Sequence, residues 1–121
     1  SGMPRFVILE HERAGEETHW DLMLEVGDML KTFRLDSPPE SVAEGVTEAT
    51  PIFDHACRFL TYEGPVNKGK GRVRRVEDGT YETQAQDGGH WKLLLVGQTV
   101  SGDYELIRSE EDIDSWSFAR V

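Results

Sequence analysis

The sequence predicts an all-β protein: a small antiparallel β-barrel of about six to eight strands with at most one or two short helices. Three observations predict it. Polar and apolar residues alternate over short runs, the period of a strand with one covered face. Turn signals separate those runs at Gly27-Asp28, Asp78-Gly79, Gln86-Asp87-Gly88-Gly89 and Ser101-Gly102-Asp103. At 121 residues the chain has room for one domain with one modest core.

In order, Phe6 to Glu10 reads as a strand and Glu12 to Glu17 as a polar loop around Gly15. Thr18 to Val26 is the second strand, and Met29 to Leu35 pairs with it through a two-residue turn. Asp36-Ser37-Pro38-Pro39 breaks the sheet, and Pro39 to Ala43 starts one helical turn with Ser37 as candidate cap. Ala49 to Phe53 is a short strand that Pro51 confines to an edge or to its first residues. His55 to Tyr62 is ambiguous between strand and helix, and Gly64 to Gly71 is a glycine-rich, lysine-bearing loop. Four further strands are expected at Arg72 to Glu77, Thr80 to Gln84, His90 to Val96 and Tyr104 to Arg108. The tail from Glu110 to Val121 is expected to lay Trp116 and Phe118 on the barrel.

Ser1-Gly2 before Met3 reads as a cloning scar, so the expected unit is a free-standing domain over residues 3–121 with no ligase or polymerase attached. No apolar run approaches the roughly 18 residues a membrane span needs. A single cysteine, Cys57, excludes an internal disulfide and fits a reducing cytoplasm. The net charge of −10 argues against broad nucleic-acid binding, because Lys and Arg supply most of that affinity. It leaves room for a local basic patch.

The chemistry gathers in His11 to Glu25, HERAGEETHWDLMLE. On a strand, His19, Asp21, Met23 and Glu25 point one way and Trp20, Leu22, Leu24 and Val26 the other, so His19 and Asp21 project side by side. A hairpin between the first two strands brings His11 into the same neighbourhood. Two imidazoles and a carboxylate suit a divalent ion that accepts mixed N and O ligands, such as Mn, Zn or Fe. The pattern alone is also that of a solvated sheet face.

FVILEHE, THWDLMLE and GDMLKTF resemble the opening of the 3'-phosphoesterase domain of bacterial DNA ligase D. Further motifs follow collinearly. Phe53-Asp54-His55 resembles the family's E-D-H, Tyr62-Glu63-Gly64 its F-E-G, and Asp78-Gly79-Thr80-Tyr81-Glu82 its D-x-G-T-W/Y-E. The resemblance covers about Phe6 to Arg108. It implies that His11, His19 and Asp21 hold a metal, typically Mn²⁺ or another divalent ion such as Zn²⁺, and that His55 contacts or protonates the reacting phosphate. Departures stand beside the matches. Met23 occupies the place of a family arginine and Phe59 that of a tyrosine, while a lysine and an arginine of the family would fall near Ser37 and at Thr47. Candidate replacements for the lost phosphate-gripping charge are Arg34, Arg58, Lys68, Lys70 and Arg72. The basic run from Lys68 to Arg75 reads equally as a charged sheet edge that resists aggregation. His90 reads as an exposed strand-end residue with no role.

Two functions of different classes follow. One is a metal-dependent phosphoesterase that removes a ribonucleoside or phosphate from the 3' end of a DNA or RNA primer-template, with a weakened phosphomonoesterase step and a separate ligase or polymerase as candidate partner. The other is a catalytically degenerate metal- or ligand-binding barrel module in DNA repair.

Overall fold

Strand pairing runs without a break around the barrel in the computed structural model, which describes residues 2–121. The strands are β1 (Arg5–Arg13), β2 (His19–Val26), β3 (Met29–Leu35), β4 (Val46–Ala56), β5 (Gly64–Val66), β6 (Gly71–Asp87), β7 (His90–Val96), β8 (Ser101–Arg108) and β9 (Trp116–Arg120). Their order is β1-β2-β3-β4-β9-β8-β7-β6, and β6 returns to β1, closing eight antiparallel strands. β5 is an extra short strand on β6. Helix α1 (Pro39–Val42) and two 3₁₀ turns, Cys57–Leu60 and Asn67–Gly69, are the helical pieces among the described residues. None of them is long and apolar enough to cross a membrane.

The main core fills the barrel, with Phe6, Ile8, Leu22, Leu24, Leu93 and Tyr104 fully enclosed. The β1–β2–β3 wall is apolar on its other face too. Val7, Leu9, Met23, Leu30 and Val73 form a second small core there with Leu60, and Phe59, Tyr62 and Val66 pack on it. The chain from Cys57 to Val66 thus covers the outside of this wall. That double coverage explains why Phe6 to Leu9 is uniformly apolar and buried rather than alternating.

Several expectations are corrected. The residues from Arg72 to Gln84 form one strand, not two, because Gly79 is not a turn residue. A Cβ at Gly79 would stand 1.9 Å from the Val96 carbonyl oxygen, so glycine here admits a close strand approach. Of the basic run, Arg72 is no sheet edge, since β1 and β5 flank Gly71 to Val73, whereas Arg74 and Arg75 pair with β1 alone. The tail does more than pack: β9 pairs with β4 and β8 and closes the barrel. β1 extends through Arg13 where a loop was expected, because its end is paired with Gly71 of β6. β4 is longer than expected, yet Pro51 obeys its constraint. β9 pairs only Val46 to Ala49, so at Pro51 the strand has β3 alone beside it. Ser37 makes no cap; Pro38 occupies that position with Pro39 following.

A bulge on β6 between the partners of Ile8 and Leu9 bends the strand and sets Glu77 inward. The Glu77 carboxylate accepts N–H bonds from Gln98 at 2.8 Å, Thr99 at 2.7 Å and Val100 at 2.6 Å, satisfying the β7–β8 turn. Only 2% of Glu77 is exposed, so no water replaces those bonds when the side chain is cut. Glu77→Ala is therefore expected to lower unfolding stability by about 3 kcal/mol. Urea unfolding checks it, and a loss below about 0.5 kcal/mol would show the turn holding without its carboxylate.

Candidate metal centre

The outer face of β1–β2–β3 carries polar residues wherever the second core ends. His11 stands directly opposite His19 in the β1–β2 ladder, and Asp21 directly opposite Arg34 in the β2–β3 ladder. Cross-strand partners on one face have Cβ atoms about 5 Å apart, so pairing alone assembles the group. His11 Nδ1 lies 2.9 Å from His19 Nε2. Asp21 Oδ2 is 3.8 Å from His11 Nδ1, and Asp21 Oδ1 is 3.6 Å from His19 Nε2. Arg34 Nε is 3.8 Å from Asp21 Oδ1.

These three donors fit a divalent ion. Metal bonds of about 2.1 Å separate neighbouring ligand atoms by roughly 3.0–3.4 Å in octahedral or tetrahedral geometry, close to the spacings here. Asp21 is 3% exposed, and its Oδ1 is buried with no hydrogen-bond donor. A buried carboxylate oxygen left without a donor is costly, and an ion would satisfy it. Burial, then the neighbouring His19, lowers the pKa of His11 from its ordinary value, with Asp21 opposing. The imidazole is thus neutral near pH 7, the state a metal takes.

His55 sits across the same cavity, a cleft of about 370 Å³ also lined by His11, Asp21, Arg34, Arg13, Asn67 and the apolar Met23, Ile52, Phe53 and Phe59. Thr32 Oγ1 donates its one proton to the Leu30 carbonyl at 3.0 Å and lies 2.9 Å from His55 Nδ1. It therefore accepts from that nitrogen, which fixes the tautomer: Nδ1 carries hydrogen and Nε2 is left as an acceptor. Burial lowers the pKa of His55, while Asp21 opposes. Phe53 stacks on the imidazole at 4.7 Å and Phe59 meets it edge-on at 5.6 Å.

The other expected contacts divide. Arg34 lines the cavity. Arg58 instead lies over the rings of Phe59 and Tyr62, at 4.4 and 4.9 Å from their centroids. Lys70 and Arg72 line an adjoining groove, and Arg13 belongs to both. Lys68 lines neither and adopts a left-handed backbone beside Asn67. Thr47 lies at the far end of β4 on another groove, with Glu48 and Trp116, so its lack of charge does not bear on this cavity. His90 pairs with the Glu105 carboxylate, away from the site. Arg13 and Thr32 were missed in the sequence. Arg13 stands two residues after His11 and shares its face once the strand is known to continue.

A closed antiparallel barrel thus carries a histidine–carboxylate cluster on its outer wall beside a cleft lined by Arg13 and Arg34. The comparison with known families agrees: residues 10–108 match the DNA Ligase D 3'-phosphoesterase domain, and the chain belongs to that family. No curated protein matches it significantly.

Two predictions follow from this packing. A Cβ at Gly71 would stand 2.9 Å from His11 Nε2, so Gly71→Ala is expected to displace His11 and weaken divalent-metal affinity about tenfold or more, read by calorimetric titration. The lowered His11 and His55 values mean that the unfolded chain binds their protons more readily. Their contribution to stability is complete above about pH 6.5 and is lost as pH falls through the folded-state values. Urea midpoints between pH 7.5 and 5 should drop more steeply in the wild type than in a His11→Gln/His55→Gln variant.

Proposed function

We propose that this chain is a metal-dependent phosphodiesterase that removes a 3'-terminal ribonucleoside from a DNA or RNA strand and leaves a 3'-phosphate. The observation that carries the reading is the His11–His19–Asp21 cluster, two of whose members, His11 and Asp21, line one cleft with His55, Arg13 and Arg34. It is supported by membership of the phosphoesterase family.

A divalent ion such as Mn²⁺, held by His11, His19 and Asp21, would coordinate a phosphate oxygen and offset charge developing there. The Arg34 guanidinium, one strand over, offers N–H donors to the remaining phosphate oxygens. His55 Nε2, unprotonated, takes a proton from the water attacking phosphorus as the bond to the leaving 5'-oxygen breaks. Thr32 holds the ring in that tautomer.

The second step of the family, removal of the 3'-phosphate itself, is proposed to be weak. Met23 sits beside Asp21 where the resembled family carries an arginine, and Phe59 brings no hydroxyl to His55. A monoester dianion needs more positive charge than a diester, and Arg13 is shared with Glu16 at 3.4 Å. Acidic residues Glu16, Glu17 and Asp36 also gather beside His19, which disfavours a doubly charged group on that side.

A labelled primer-template ending in one 3'-ribonucleotide, incubated with Mn²⁺, tests the reading. The expected product is a shortened strand with a 3'-phosphate that accumulates. His19→Ala should abolish it and His55→Gln should reduce turnover at least 100-fold. Absence of cleavage with every divalent ion tried would instead favour a binding module, and rapid loss of the 3'-phosphate would overturn the split between the two steps.

A further inference from the structure

We infer that Phe53 is a stacking platform for the nucleobase of the 3'-terminal nucleotide processed in this cleft. The inference rests on the phosphoesterase reading and names how that site recognises its substrate. Phe53 is 74% exposed, more than any other large apolar side chain among the described residues. One face of its ring lies on His55 at 23° from parallel, 4.7 Å away. The ring is therefore held flat at the mouth of the cleft, beside the residue aimed at phosphorus, while the rest of it stays open to a ligand.

The surroundings select the ligand. The cleft's lining is of two kinds: polar and charged Arg13, Arg34, Asn67, His11 and Asp21, and apolar Ile52, Phe53 and Phe59. A nucleotide has the same division, an anionic phosphate joined to a flat apolar base. A protein-docking patch would need apolar neighbours outside the cleft, and Phe53 has the exposed, charged Asp54 beside it on β4. A bulge in the β3–β4 pairing at this point re-aims the strand, so that Ile52, Phe53 and His55 all line the cleft. The resembled family places a glutamate at this position, which would repel phosphate and offer no flat face.

The test reads binding, so it does not depend on turnover. The full chain without metal is titrated against fluorescently labelled oligonucleotides ending in a 3'-adenosine or in an abasic ribose, followed by anisotropy. Wild type is expected to bind the adenosine end about 10- to 100-fold more tightly than the abasic end. Phe53→Ala should lose that ratio and leave abasic binding unchanged, while Phe53→Trp should keep it. Because the ring is exposed, circular dichroism and urea midpoints of both variants should match wild type. An unchanged ratio in Phe53→Ala, equal weakening for both ends, or no binding by wild type would overturn the platform. Failure of the phosphoesterase reading shows separately, as no cleavage of the primer by a wild type that still distinguishes the two ends.

Discussion

The register of β1 against β2 is the constraint on which everything else in the site depends. It sets His11 opposite His19 and brings their nitrogens to 2.9 Å. A slip of one residue would send His19 and Asp21 into the barrel and Leu22 out of it. The three polar side chains need not hold that register themselves. It is held from behind by Phe6, Ile8, Leu22 and Leu24, all fully buried in the main core. Fully burying each such side chain is worth about 2 kcal/mol, so the interior of the barrel holds the polar cluster on its outer wall in place.

The outer wall needs a cover for the site to work. The segment from Cys57 to Val66 supplies it, and its aromatic residues do two jobs. Phe59 closes the second core and also meets His55 edge-on, while Tyr62 meets Phe59 and donates a hydrogen bond to the Pro65 carbonyl. This makes a low-dielectric rim around His55, which lowers its pKa and keeps its Nε2 free.

Much of the barrel was legible in the sequence because its strands obey a period of two and its hairpin turns carry glycine. The cluster His11–His19–Asp21 was legible for the same reason. What escaped detection did so where a residue's meaning is set by something distant in the chain. Gly79 looks like a turn residue, and only the approach of Val96 makes it a strand residue. Glu77 looks like one more surface carboxylate, and only the bare N–H groups of residues 98 to 100 make it a buried anchor. Trp116 to Arg120 shows the alternation of a strand, yet its role in closing the barrel depends on β4 and β8 being left with open edges. Arg13 was hidden because the strand was read as ending before it.

Met23 and Arg34 together show how a charge can be supplied to one place from a different strand. The family pattern puts an arginine on the same strand as the aspartate, two residues on. Met23 cannot carry charge, and it is 2% exposed in the second core against Leu9 and Val73. Directly opposite Asp21, however, β3 presents Arg34 on the same face. Neighbouring strands are about 4.8 Å apart, whereas two residues along one strand span about 6.6 Å. A long guanidinium side chain reaches the same space from either origin. The exchange is not neutral in geometry, because an arginine opposite the aspartate approaches it sideways through Nε rather than lying alongside it. Its terminal N–H groups therefore point past the carboxylate rather than onto it. At the position two residues on from Asp21, Met23 presents carbon and sulfur rather than a second cation.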